Sequence, residues 1–176
     1  MEESVLRNTL GLQVRAIKNE EIRDVIEKVL KSLPEGFWSR ECSKKFHPED
    51  ERGLHGNLIH TIRVAKVADR IVETTDNYST DERDLVVGAA ILHDCLRHGE
   101  FGSSPWSEKD HPHLVRPFIE KKVGITGEIV DKLCDIIETH MGQWYYKPAP
   151  LNDLTPNDIV HLADFLASQV DIDVKI

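Results

Sequence analysis

The sequence has few cysteines and no long apolar run, and each absence excludes a class of protein. The three cysteines of the 176-residue chain are far apart and form no Cys-x-x-Cys pair, which argues against a disulfide framework or a structural zinc site. No segment approaches the roughly 20 consecutive apolar residues of a membrane span, and the first residues lack the pattern of a signal peptide. We therefore expect a cytoplasmic protein with no membrane-spanning segment.

Basic residues are also in the minority, which argues against one class of ligand. The formal charge is -9 at pH 7, whereas proteins that bind long duplex nucleic acid usually carry a basic surface. A short strand or a free nucleotide remains compatible with this charge. The length predicts a single domain over residues 1–176. The sequence leaves the oligomeric state open.

Apolar residues recur at helical spacing along the chain, and no stretch alternates as a half-buried strand would. The predicted fold class is therefore all-α, with about six to seven helices. An N-terminal helical segment occupies residues 1–34, and a long helix covers about residues 54–75. Ser79 opens the next helix with a capping-box signature, and Thr126 and Thr155 are predicted to open two later ones.

Nine histidines are the unusual feature of the composition, because imidazole is the commonest side-chain metal ligand. Four predicted helices each place a His or Asp beside apolar neighbours. An unpaired buried carboxylate is costly, so a cation is implied near these groups. Helical bundles build metal sites from inward-facing His and carboxylate side chains. The residues concerned are His60, the pair His93-Asp94, His140 and Asp164.

The order of these residues resembles the signature of the HD superfamily of metal-dependent phosphohydrolases, which has a His, an adjacent His-Asp pair after an apolar helix, and a late Asp. The local contexts are also similar, with H-T-I-R-V-A at 60–65, A-I-L-H-D at 90–94 and L-A-D-F-L at 162–166. The resemblance covers about residues 54–168. It implies an all-helical bundle of the HD type that hydrolyses a phosphoester.

The resemblance also implies a set of metal ligands. Family members with two metals have two further histidines between the second and last motifs, and His111 and His140 are similar to these. In the family pattern, Asp94 bridges both ions, while His60, His93 and Asp164 hold the first ion and His111 and His140 the second. Mixed nitrogen and oxygen ligands suit one or two divalent ions of Mn, Fe, Co, Ni or Zn better than Ca or Mg.

The sequence leaves alternatives for two of these ligands. His113 competes with His111, which we favour because its His-Pro pair, followed by Leu114, is closer to the family's context. A helix-capping or surface role is the alternative for both His111 and His140.

Several residues are candidates for contact with substrate. Arg97 stands three residues after Asp94, where many family members have a lysine, and we expect it at the rim of the cleft with its guanidinium gripping a phosphate. An ordinary surface arginine is the alternative. Further candidates for contact with substrate or with a metal ligand are His55, Arg63, Lys109 and Arg116.

The favoured function is hydrolysis of a nucleotide or another small phosphorylated molecule by metal-activated water. The segment 53–60 resembles the Gly-Leu-x-x-His stretch of HD-type 3′-5′ exoribonucleases, so short RNA is an alternative substrate. A di-iron oxygenase that uses the same six ligands and a non-catalytic, metal-stabilised signalling module are alternative functions. The aromatic run 144–146 is a candidate for stacking on a base, with simple packing as its alternative.

Overall fold

The computed structural model describes residues 1–75, 77–142 and 154–176. Eight α-helices lie in these ranges, and none of the described residues forms a strand. The prediction of an all-α fold is confirmed, with slightly more helices than the six to seven expected. The helices are α1 (Glu3–Ala16), α2 (Glu20–Ser32), α3 (Glu35–Ser39), α4 (Gly56–Thr74), α5 (Thr80–Leu92), α6 (His111–Pro117), α7 (Glu128–Ile137) and α8 (Pro156–Ser168).

The N-terminal segment divides into two helices because a buried carboxylate from α5 binds the turn between them. The backbone N–H groups of Lys18 and Asn19 both donate to Oδ2 of Asp84, at 2.8 and 2.7 Å. The Asn19 side chain then accepts hydrogen bonds from the first turn of α2 and caps that helix. Asp84 therefore fixes α1 and α2 against the centre of the fold.

Two of the predicted helix starts are confirmed and one is displaced. Ser79 and Thr155 each form a reciprocal capping box with the acidic residue three positions later. Thr126 does not cap α7. The residue before that helix is Gly127, whose φ of 131° few other residues adopt, and the helix begins at Glu128.

Helix α5 lies at the centre of the fold and packs against α2, α4, α7 and α8. Its residues 86–92 are all buried, as expected for a helix that is apolar on every side. The neighbouring helices approach closely at Gly88. A Cβ at this position would lie 3.2 Å from side-chain atoms of Ile26 and Leu133. This central position brings the C-terminal end of α5 beside α4 and α8.

None of the helices in the described ranges combines the length and the apolarity that crossing a membrane requires.

Candidate metal centre

The six predicted metal ligands converge at the C-terminal end of α5. His60 lies in α4 and Asp164 in α8, two helices that pack against each other and against α5. The His93-Asp94 pair directly follows α5, His111 begins α6 and His140 follows α7. All are buried except Asp164, whose side chain is 22% exposed.

The two carboxylate oxygens of Asp94 face different sets of histidines. Its Oδ2 lies 3.6 Å from Nε2 of His93 and 4.0 Å from Nε2 of His60. Its Oδ1 lies 2.8 Å from Nε2 of His111 and 3.6 Å from Nε2 of His140. Asp94 therefore stands between two groups of nitrogen ligands.

Asp164 completes the first group. Its Oδ1 lies 2.9 Å from Nε2 of His60 and 3.9 Å from Nε2 of His93. The candidate ligand atoms of His60, His93 and Asp164 all lie within 4.8 Å of one another, and so do those of Asp94, His111 and His140. Each triad is compact enough to hold a metal ion.

Three of the histidines are oriented by the same local contact. The Nδ1 atoms of His93, His111 and His140 donate to the carbonyl oxygen of the residue three positions earlier, at 2.8, 2.6 and 2.8 Å. Because Nδ1 carries the proton in this arrangement, Nε2 is the nitrogen left to bind a metal. The ring orientations therefore suit metal coordination.

The inward nitrogen of His93 lacks a partner, and the inward nitrogens of His111 and His140 face each other. The Nε2 of His93 is buried and makes no hydrogen bond within the described residues, and an unsatisfied buried acceptor costs about 1–3 kcal/mol. The Nε2 atoms of His111 and His140 lie only 3.3 Å apart. Two lone pairs at this distance require a cation between them, either a proton or a metal ion. The donor set therefore fits divalent metals.

Burial and the neighbouring carboxylates set the charge states of the centre. Burial lowers the pKa of His93 to about 4. Burial opposes the charged form of His60 as well, but its contacts with Asp164 and Glu51 prevail and raise its pKa to about 9. Burial disfavours ionised Asp94, yet Arg97 and the adjacent histidines hold its pKa well below its usual range. Without metal, a proton on His60 balances part of the negative charge, and an incoming metal ion has to displace it.

Comparison with known proteins assigns the fold and the site to a family. The sequence model of the HD domain matches residues 57–168, which is more than half of the chain. The chain belongs to the HD domain family. The resemblance inferred from the motifs is thereby confirmed, and with it membership of a superfamily of metal-dependent phosphohydrolases whose domains bind divalent metals.

Curated relatives of this HD domain include two proteins named 3′-5′ exoribonuclease YhaM. The protein from Listeria innocua is 25% identical and the protein from Listeria welshimeri is 24% identical, and each alignment covers 91% of this chain and 52% of the relative. The chain thus spans about half the length of these relatives. No solved structure matches the chain significantly.

Beyond the HD motif, the structure places two residues beside the centre that sequence reasoning missed, Glu51 and His47. Glu51 lies in a 3-10 turn, Glu49–Glu51, and is completely buried. Its Oε2 accepts a hydrogen bond from Nδ1 of His47 at 2.9 Å and lies 3.1 Å from Nδ1 of His60. The latter contact brings the charges together without the geometry of a hydrogen bond. In the sequence, the acidic run 49–51 looks like a solvated turn.

Arg97 lies inside the HD site and not at an exposed rim. It is 9% exposed, and its Nη1 donates to Oδ2 of Asp94 at 2.6 Å. Its Nε donates to Ser107 at 2.8 Å, and its Nη2 lies 3.2 Å from Nε2 of His47. The predicted rim location is therefore wrong, because the guanidinium turns inward to neutralise the buried Asp94 carboxylate.

Two further candidates for contact with substrate, His55 and Arg63, pair with other residues of the protein near the HD site. His55 precedes α4 with a φ of 65°, and its Nδ1 donates to the carbonyl oxygen of Trp38 at 2.7 Å. Arg63 contacts Asp50 at 2.7 Å and Glu51 at 2.6 Å. Arg63 therefore reaches the centre through Glu51, and His55 is directed toward the N-terminal helices.

The other candidates lie in α6 or in the loop that precedes it. Arg116 is bound by three carboxylates of α7 and its C-terminal end, Asp131, Asp135 and Glu138, at 2.6–3.0 Å. Lys109 is exposed in the loop that precedes α6. His113 is exposed, whereas His111 is buried beside Asp94. The geometry therefore favours His111 over His113. The aromatic run 144–146 lies outside the described residues.

Proposed function

We propose that this HD domain binds two divalent transition metals and hydrolyses a phosphoester of a nucleotide-type substrate. Asp94 carries the proposal, because each of its carboxylate oxygens faces a separate pair of histidine nitrogens. In this arrangement Asp94 would contribute a ligand to both ions. His60, His93 and Asp164 would hold the first ion, and His111 and His140 would hold the second.

The charge of the centre suits an anionic substrate. Two carboxylates and four neutral imidazoles leave a net positive charge when two divalent ions are present. Such ions, when bound, activate water for attack and offset the negative charge of the phosphate. The mixed nitrogen and oxygen ligands favour Mn, Fe, Co, Ni or Zn.

The buried side chains contribute by fixing these charges in a water-poor environment. The pKa values of Asp94 and Asp164 lie well below their usual range, since burial is outweighed by Arg97 at Asp94 and by His60 at Asp164. Both carboxylates therefore stay ionised and available to a metal. Exclusion of water strengthens their electrostatic interactions.

A short single-stranded RNA end is the substrate that we favour within this class. Both relatives are named 3′-5′ exoribonucleases, which supports a phosphodiester in RNA. The formal charge of -9 disfavours a long nucleic-acid backbone. A short strand satisfies both observations, and a free nucleotide is the next candidate.

The test combines metal counting with an activity screen. The metal-free protein is loaded anaerobically with each of the five metals and incubated with 5′-labelled short RNA, dinucleotides and mononucleotides. We expect two ions per chain and cleavage from the RNA 3′ end, with a metal count near one in His111→Ala and in His140→Ala. Turnover without oxygen excludes the oxygenase. Two bound ions with no cleavage of any phosphoester would support the non-catalytic module instead.

A further inference from the structure

His60 differs from the other three histidines of the centre in how its ring is held. The Nδ1 atoms of His93 and His140 donate to carbonyls in the last turn of a helix, and that of His111 donates to a carbonyl in the loop before α6. His60 lies inside α4, where the carbonyls of the preceding turn are used by the helix. Its ring therefore needs a partner from outside its own helix.

Glu51 is in the position to be this partner. Its Oε2 lies 3.1 Å from Nδ1 of His60, on the side of the ring opposite to the Nε2 that faces Asp164. Although this contact lacks the geometry of a hydrogen bond, the charge of a carboxylate beside Nδ1 favours the proton on that nitrogen and leaves Nε2 as the better ligand. Because Glu51 is completely buried, water does not screen this contact.

The surroundings hold Glu51 rigidly. Its Oε1 accepts from Nη1 of Arg63 at 2.6 Å, and its Oε2 accepts from Nδ1 of His47 at 2.9 Å. Its backbone carbonyl accepts from the N–H of Cys42 at 2.8 Å. The same carbonyl lies so close to Gly56 that a Cβ on that residue would come within 1.8 Å of it. Both the carboxylate and the backbone are therefore fixed against the start of α4.

His47 extends this contact to the other side of the centre. Its Nδ1–H donates to Glu51, which leaves Nε2 to accept from Nη2 of Arg97 at 3.2 Å. Arg97 in turn donates to Asp94. Burial lowers the pKa of His47, in agreement with a neutral ring that donates once and accepts once.

The cluster Cys42, His47 and Glu51 has the composition of another metal site, but its contacts argue against one. Both nitrogens of His47 have partners, and the Arg97 guanidinium lies 3.6 Å from the Cys42 sulfur. Burial also raises the pKa of the Cys42 thiol, so the thiolate that a metal requires is disfavoured. These contacts favour a role for the cluster in supporting the neighbouring centre over the binding of an ion of its own.

We propose that Glu51, held by His47 and Arg63, is the positioning residue of His60 and that it sets the affinity of the first metal triad. The proposal rests on the metal centre put forward under the proposed function. Removal of such a partner typically weakens metal binding by about 10- to 100-fold. The effect is expected at the triad that contains His60 and not at the triad of Asp94, His111 and His140.

The experiment measures Co²⁺ affinity site by site. Co²⁺ is titrated into metal-free wild-type protein and into His111→Ala/His140→Ala, which keeps the first triad, and the visible absorption of the ion is followed. In that double variant, Glu51→Gln is expected to weaken Co²⁺ binding at least tenfold. Glu51→Ala should weaken it further, because the oxygen facing His60 is lost as well. In the otherwise wild-type chain, Glu51→Gln should leave the affinity of the second triad within about threefold.

Asp84→Asn is the matched control. Asp84 is also a completely buried carboxylate that accepts backbone hydrogen bonds, but it binds the turn before α2. Its replacement should lower the melting temperature and change Co²⁺ affinity less than twofold. A general effect of lost stability would instead weaken binding in both variants.

The outcomes separate this inference from the proposed function. Wild-type protein that binds no Co²⁺ would overturn both. Wild-type protein that binds two ions, together with Glu51 variants of unchanged affinity, would overturn only the role of Glu51. If the Glu51 variants fail to unfold cooperatively, His47→Gln decides, because it leaves Glu51 and His60 in place. We expect at least threefold weaker binding in His47→Gln, and an unchanged affinity there would refute the proposal.

Discussion

Replacement of Arg97 by alanine should destabilise the metal-free protein far more than the metal-bound protein. The Arg97 and Asp94 side chains are 10% and 5% exposed, and their charged atoms lie 2.6 Å apart. Removing one partner of a buried ion pair leaves the other charge uncompensated and costs about 3–5 kcal/mol. For a domain of this size, that loss corresponds to a decrease in melting temperature of roughly 6–20 °C.

Metal should recover part of this loss. Arg97 neutralises Asp94, and the ions of the proposed centre would do the same, so we expect the arginine to compete with metal for this carboxylate. Without Arg97, the centre should bind metal at least about tenfold more tightly, which is equivalent to about 1.4 kcal/mol. At saturating metal, the difference in unfolding free energy between wild type and Arg97→Ala should therefore shrink by at least that amount.

The assay is urea denaturation of both proteins in EDTA and in saturating Co²⁺. Arg83→Ala serves as the control, because Arg83 pairs with Asp69 at 2.7 Å and with Asp84 at 3.4 Å, away from the centre. Its effect on the unfolding free energy should be the same in both solutions. An Arg97→Ala loss below about 1 kcal/mol in EDTA, or a loss that metal leaves unchanged, would show that Arg97 does not compensate a buried Asp94 charge.

Two further predictions concern the start of α4 and its histidine. Gly56→Ala should lower the unfolding free energy by roughly 1–3 kcal/mol or more, because its Cβ would collide with the Glu51 carbonyl. Thermal melts measure this loss. Gly53→Ala is the control and should melt as wild type does, because a Cβ at Gly53 meets nothing within 4 Å. In metal-free protein, the pKa of His60 rises from 6.5 to about 9 on folding. Protonated His60 therefore stabilises the folded state by on the order of 3 kcal/mol below pH 6.5, and this stabilisation is lost as the pH rises through the folded-state pKa. Denaturation in EDTA across this range tests the decline, and His60→Gln should lack it.

The convergence of five of the six proposed metal ligands could be predicted from sequence because each of these five lies on, or at the end of, a helix with apolar neighbours. The sixth, His111, is indicated by the resemblance to the family alone, and the role of all six as ligands stays a prediction. The apolar stretch 85–92 predicts a central helix, and the HD motif places His93 and Asp94 at its end. The same reasoning could not find Glu51. Its role depends on how residues 40–55 fold across α4, which helical periodicity does not describe.

Long-range contacts explain the other differences between prediction and structure. The N-terminal segment breaks near Asn19 because Asp84, 65 residues later, binds the turn, and no local pattern indicates this. The position of Arg97 after the buried helix was predictable, but the direction of its side chain was not. That direction depends on the buried charge of Asp94 and on His47, a residue 50 positions earlier in the chain.

The attachment of α6 to α7 by Arg116 has a consequence for the order in which the proposed centre would lose its ions. The first triad is carried by α4, α5 and α8, whereas His111 and His140 belong to α6 and the end of α7, which Arg116 joins through three partly exposed ion pairs. Salt weakens such exposed pairs. Loosening of α6 from α7 would move His111 away from Asp94, while α7 stays packed on α5 and His60, His93 and Asp164 stay in place. Dissociation should therefore proceed in two kinetic steps, with a salt-sensitive release from the second triad preceding a slower release from the first.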